Sequence, residues 1–216
     1  MSSDRFERQS EHVPRDRMPE MVTVIGCGAI GRNVALQLAA IGVPKLQLFD
    51  FDTVEEGNLC TQGWAKRHMD WMKVTALGSV IDDKYAGEVY VEEIGDRYRP
   101  KYTIGDAVFC CVDSITAREK IWRSVRKSAK FWCDGRMMGE TGQVYTSTVP
   151  EVDQFYDTTL FSQDEAYPGR CTARSTIYCA QFCANLMIHQ FTRWLRRIEC
   201  DRKLCFNLLA SEMWTE

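Results

Sequence analysis

The run Gly26-Cys27-Gly28-Ala29-Ile30-Gly31 sits directly between a short β-branched segment, MVTVIG from Met21, and RNVALQLAAIG, whose apolar residues recur at helical spacing and stop at Gly42. A continuous apolar run of this length predicts a strand buried on both faces, and Gly42 closes the helix that follows. Glycines at such a junction let the backbone approach a phosphate, and the helix N-terminus behind them offers free N–H groups and positive potential. The alternative is a tight turn that merely packs strand on helix. The flanking context favours nucleotide binding, without distinguishing NAD, FAD or ATP.

KLQLFDFD follows as a second strand, which completes a β–turn–α–β unit whose crossover is right-handed. Further along, MDWMKVTALGSVIDDKY reads as a helix, EVYVEEIG and DAVFCCVD as strands, and SITAREKIWRSVRKSA as an amphipathic helix that Ser114 can cap. KFWCDGRMMGETGQVYTSTVP predicts two strands joined by a glycine turn, and residues 151–170 a long loop. ARSTIYCAQFCANLMIHQFTRWLRR predicts a long helix whose terminal arginines suit its dipole, and KLCFNLLA a last strand. The expected fold is α/β: an open, mostly parallel, Rossmann-like sheet with helices on both faces and a partly antiparallel C-terminal extension. Residues 1–20 read as a charged arm and 21–216 as one domain.

Composition narrows the partners. With 27 Lys+Arg against 30 Asp+Glu, the formal charge of −3 gives no basic field for nucleic acid or an acidic membrane. No apolar run approaches membrane-span length and the opening residues lack an apolar signal segment, so a soluble, cytoplasmic protein is expected. Ten cysteines without a secretion signal argue against a disulfide framework. Cys27, Cys110, Cys111 and Cys133 lie among apolar residues, where a thiol behaves as a small hydrophobe. Cys179 and Cys183, at helix-face spacing, read as core. The Cys200–Cys205 spacing fits zinc poorly, and zinc is not expected. His12, His68 and His189 form no triad spacing and read as structural or exposed.

Acids end the strands. Asp50 and Asp52 follow the second strand about twenty residues past the glycines, where a carboxylate can accept hydrogen bonds from ribose hydroxyls. Asp113 ends DAVFCCVD. In a parallel sheet these ends share one edge, so Asp50, Asp52 and Asp113 are expected to converge, and acids beside a triphosphate suggest Mg²⁺ and ATP.

VTVIGCGAIGRNVALQLAAIGVPKLQLFDFDTVEEGNL resembles the start of the ThiF/MoeB/HesA and ubiquitin-activating-enzyme family. The similarity runs on through Lys73 in WMKVTAL, Asp113 in CCVDSITAR, the GRMMGETGQVY segment and Cys171-Thr172-Ala173. The resemblance implies ATP-dependent adenylation of the C-terminal glycine carboxylate of a small ubiquitin-like or sulfur-carrier protein. It implies ribose contacts for Asp50, with Asp52 beside it, phosphate contacts for Asn58 and Lys73, and Mg²⁺ binding for Asp113, around the loop of Gly26, Gly28 and Gly31. Arg5-Phe6-Glu7-Arg8-Gln9 resembles the family's N-terminal arm, whose second arginine, here Arg8, reaches the partner's ATP site in a homodimer.

Cys171, between Arg170 and Arg174 at the expected start of the long helix, is the candidate thiol for a thioester or acyl disulfide, because N–H groups and arginines favour thiolate. A conjugating enzyme or a sulfurtransferase is then a natural partner. A cysteine without catalytic duty is the alternative. The chain departs from the family at Thr61, where a phosphate-binding arginine is usual, with Lys66 and Arg67 as candidate substitutes. The family's paired CxxC zinc motif and a C-terminal ubiquitin-fold domain are missing from this sequence. Two other functions stay open: a catalytically weak docking half for a partner, motivated by Thr61, and an NAD-dependent dehydrogenase, allowed by the glycine loop.

Overall fold

The computed structural model describes residues 5–85, 87–161 and 176–216. Its centre is an eight-stranded sheet in the order β3-β2-β1-β4-β5-β6-β7-β8. β1 (Val22–Ile25), β2 (Lys45–Phe49), β3 (Tyr90–Ile94), β4 (Ala107–Cys110) and β5 (Phe131–Met138) run parallel. β6 (Thr141–Ser147), β7 (Lys203–Asn207) and β8 (Glu212–Thr215) continue the sheet antiparallel. The order reverses at β1, since β2 lies on one side of it and β4 on the other. A doubly wound sheet opens its ligand crevice at such a switch point, outside the carboxyl ends of the strands.

Strand alternation feeds two cores. Val22 and Val24, Leu46 and Leu48, and Phe109 and Phe131 face α1 (Ala29–Ala40), α3 (Lys73–Tyr85) and α6 (Ile177–Leu195). Phe49, Val108, Cys110 and Trp132 face α4 (Ile115–Val125) and α5 (Phe155–Thr158). Helices therefore cover both faces, as the alternating pattern implied. Ser114 caps α4, its Oγ accepting from Ala117 N at 3.3 Å. Cys179 and Cys183 are fully buried in the α6 face of the core. Among the described residues, no helix is long and apolar enough to cross a membrane.

Three elements add to the expected set. α2 (Glu56–Gln62) is fixed by its ends: Glu55 and Asn58 form a reciprocal capping box, and Gly63 closes it at φ 74°. α5 interrupts the expected loop 151–170. β8 joins β7 as an exposed edge strand. Residues 5–20 lie against the domain in two short turns. Val13 joins the core, Arg15 Nη1 donates to Gly42 O at 2.6 Å, and Arg5 pairs with Glu88 at 2.7 Å.

Candidate functional site

The glycine loop connects β1 to α1 at the switch point, and its three glycines have different structural reasons. Gly26 has φ +92°, and a Cβ there would meet Cys111 O at 2.8 Å. A Cβ on Gly31 would lie 1.7 Å from Gly26 O, so helix and loop could not pack as they do. Gly28 is unlike both. Its φ of −75° suits any residue, and the nearest atom to an added Cβ is Gln62 Nε2 at 4.0 Å. The fold does not require a glycine there. It leaves open space against the first turn of α1, whose N-terminal N–H groups receive no side-chain cap.

Asp50 locks this loop to the end of β2. Its Oδ2 accepts from Cys27 N at 2.6 Å and its Oδ1 from Asp52 N at 2.9 Å. Burial pushes its pKa up, against those two hydrogen bonds and the attraction of Lys73. Each oxygen keeps a second lone-pair site for a ligand donor. Lys73 opens α3, its backbone N–H donating to Asp52 O at 2.9 Å while Nζ pairs with Asp52 Oδ2.

The three acids follow the carboxyl ends of parallel strands on one edge of the sheet. Asp50 and Asp52 sit together beyond β2, but Asp113 is exposed in the turn after β4, across β1 from them. Among the described residues no group of three His, Cys, Asp or Glu side chains is arranged to hold a metal ion. β1 stands between the ends of β2 and β4, and Lys73 engages Asp52. Mg²⁺ beside a nucleotide needs only one or two carboxylates together with phosphates, so Asp113 retains the chemistry for that part.

Asn58 is engaged in α2: its Oδ1 accepts from Glu55 N at 3.2 Å as the capping-box partner, which leaves its amide N–H₂ as the donor on offer. Thr61 donates to Gly57 O at 3.0 Å, inside α2. Of its candidate substitutes, Arg67 pairs with Asp83 at 3.6 Å, while Lys66 is exposed in the same short turn. Arg8 is exposed near the C-terminal end of α1, opposite the glycine loop. At about 1.5 Å per residue the 12-residue helix separates those ends by about 18 Å, so Arg8 is remote from the loop of its own chain. Cys171 lies outside the described residues.

Sequence reasoning missed the support beneath the Asp113 turn. Asp134 in β5 is fully buried between Arg118 Nε at 2.6 Å and Arg136 Nε at 2.7 Å, and Tyr156 Oη donates to it at 2.9 Å. Arg118 Nη2 also donates to Val112 O at 2.6 Å, which pins the residue before Asp113. Burial alone would raise the Asp134 carboxyl; the two guanidinium groups outweigh it and hold it below the usual carboxylate range.

Fold and edge together define the class: an α/β domain of the doubly wound kind, with a glycine loop, an uncapped helix start and carboxylates at its switch point. The chain belongs to the ThiF family, whose model matches residues 19–214. It is similar to SUMO-activating enzyme subunit uba-2 of Caenorhabditis elegans, 25% identical over 187 residues, which are 83% of this chain and 32% of that protein. It is also similar to adenylyltransferase and sulfurtransferase MOCS3 of Bos taurus, 51% identical over 41 residues, 19% of this chain and 9% of that protein. The chain thus spans no more than about a third of the length of these curated relatives. Among solved structures, E. coli MccB with ATP superposes at a TM-score of 0.76 with 15% identity, over 100% of this chain and 71% of that one. MccB with MccA superposes at 0.79 with 13% identity, over 100% and 72%. At such identities the likeness is one of fold.

Proposed function

We propose that this protein activates the C-terminal carboxylate of a small ubiquitin-like or sulfur-carrier protein, or of a peptide, by ATP-dependent adenylation. The observation that carries the reading is Gly28, a glycine with no conformational or packing reason, beside the uncapped start of α1 and the acids that follow β2 and β4. Relatives support the class: MOCS3 is named an adenylyltransferase and sulfurtransferase, uba-2 a SUMO-activating enzyme subunit, and MccB has been crystallised with ATP.

In this reading the free amides at the start of α1 receive phosphate oxygens, and the remaining lone pairs of Asp50 orient the ribose. Asn58 and Lys73 supply further donors to the phosphates, and Asp113 would hold Mg²⁺, which would offset charge on the phosphate oxygens. The chemical difficulty is repulsion, because an anionic carboxylate must attack an α-phosphorus ringed by negative oxygens. Fixed cations and N–H groups lower that barrier without reorganising. One carboxylate oxygen bonds to the α-phosphorus, the α–β bridging P–O bond breaks, and pyrophosphate leaves with that electron pair. The acyl-adenylate is then open to a thiolate, for which Cys171 is our candidate: sulfur bonds to the acyl carbon and AMP departs. Arg8, remote from its own loop, acts in a cytoplasmic homodimer by reaching the partner's site. A conjugating enzyme or a sulfurtransferase would take the activated carrier onward.

ATP–pyrophosphate exchange, with a small protein ending in Gly-Gly as the carboxylate donor, tests this reading. Exchange dependent on that carboxylate is expected, and Asp113→Ala should remove it while the fold survives. Exchange that persists in Asp113→Ala contradicts the assignment of that residue. NAD, but not ATP with Mg²⁺, raising the melting temperature would overturn the reading as a whole.

A further inference from the structure

Among the described residues, one cation beside the glycine loop has no anion within ion-pair distance. Arg32 stands one turn into α1, and its side chain runs back to the end of α2, where a Cβ on Gly63 would lie 3.2 Å from Nη1. The guanidinium stacks on Trp64, its carbon 4.9 Å from the ring centroid. Among the described residues no carboxylate lies within ion-pair distance of it, and its buried Nε has no hydrogen-bond partner. Burial lowers its pKa.

Trp64, itself buried, organises a second donor at the same place. Its indole N–H donates to Gln62 Oε1 at 3.0 Å, which leaves the Gln62 amide nitrogen toward Gly28, 4.0 Å from the position of the missing Cβ. The indole therefore gathers two donor groups at the end of α2, the Arg32 guanidinium on its face and the Gln62 amide turned toward Gly28. A half-buried guanidinium with no counter-ion among the described residues is costly, and a planar fork of donors is suited to phosphate oxygens.

We propose that Arg32 is a phosphate-binding residue: stacked on Trp64 one helical turn from the glycine loop, its guanidinium takes the outer phosphates of the bound nucleotide. Trp64 is the positioning residue, and Thr61 stands two positions before Gly63 on α2, where a substituted arginine would bring a guanidinium from the same helix. The inference rests on the nucleotide reading above and adds to it the group that neutralises the triphosphate on the α2 side.

The test is nucleotide affinity of the purified chain, measured by calorimetry with ATP and with AMP in the presence of Mg²⁺. Arg32→Gln should weaken ATP binding at least tenfold and AMP binding less than twofold, and Thr61→Arg in the same chain should restore much of the ATP affinity. Unchanged ATP affinity, equal losses for ATP and AMP, or no recovery with Thr61→Arg overturns the proposal. Should Arg32→Gln not fold, Arg32→Lys keeps the charge and stem while losing the fork; a selective loss for ATP supports the proposal and no loss overturns it. Absence of ATP binding by the unaltered chain overturns both this proposal and the reading on which it rests, whereas ATP binding that ignores Arg32 removes the proposal alone.

Discussion

Lys73 Nζ lies 2.9 Å from Asp52 Oδ2, with the lysine side chain 7% exposed and the aspartate half exposed. The pair is the outer end of a longer tie between the segment after β2 and the start of α3, where Thr53 and Met72 bridge and Val54 N donates to Trp71 O at 2.9 Å. That tie positions the ammonium beside the acids at the switch point before any nucleotide arrives. Lys73→Met should lower pyrophosphate exchange about a hundredfold, the scale for a lost charge-stabilising donor. Because Asp52 is half in water, stability should fall by no more than about 1 kcal/mol. Exchange rates and melting curves of the variant check both halves.

The glycines separate folding from ligand approach. Gly28→Ala should leave stability within about 0.5 kcal/mol, because its Cβ meets open space at an ordinary backbone conformation. It should nevertheless weaken ATP binding, because the methyl occupies the space left for phosphate. Gly31→Ala should do the reverse and lower the melting temperature outright, since its Cβ would overlap Gly26 O. Melting curves with and without ATP and Mg²⁺ distinguish the two. A destabilised Gly28→Ala that still binds ATP would reverse the argument.

Legibility in the sequence followed periodicity. β1, the glycine loop, α1 and β2 declared themselves because a buried parallel strand is a continuous apolar run and the helix after it carries an apolar stripe. α2 escaped because EGNLCTQ has no such stripe and contains Gly57; capping at Glu55 and Gly63 makes it a helix. β8 escaped because its four residues are exposed and owe their strand to pairing with β7. Of the site, the chain order of acids and lysine was readable, but their grouping was not. Only the sheet order shows that β1 stands between Asp50 and Asp113. Arg32 reads in sequence as one charge on a helix, and its stacking on Trp64 at the end of α2 appears only once α2 is packed beside α1.

Thiol reactivity tests the cysteine assignments. Burial pushes the Cys110 thiol up to about 12 and Cys179 up to about 11, and raises Cys27, Cys133 and Cys183 as well. Cys60 is exposed. Alkylation of the native protein at pH 8 should therefore modify Cys60 quickly and leave those five unmodified until denaturant is added. In Cys60→Ser, rapid labelling of Cys171 is the expected result if that residue is the acceptor thiol. Mass mapping of the labelled peptides gives the answer, and a Cys171 as slow as Cys183 would remove it as a nucleophile.

Acid stability should report the Asp134 cluster. Its native carboxyl titrates below the value of an unfolded aspartate, about 3.9. Protons therefore bind the unfolded chain more tightly, so the stability this group supplies is complete above about pH 4 and is lost as pH falls through its native pKa. Asp134→Asn should remove that increment at neutral pH and leave Arg118 and Arg136 buried without their shared anion, at a cost of about 3–5 kcal/mol. The gap between variant and parent should then narrow as pH falls below about 4. Because Arg118 also holds Val112 O, the variant should loosen the turn that carries Asp113. Denaturant melts at several pH values measure the first effect, and amide exchange of residues 112–114 measures the second. A pH-independent gap between the two proteins would show that the ionised carboxylate is not what the arginines require.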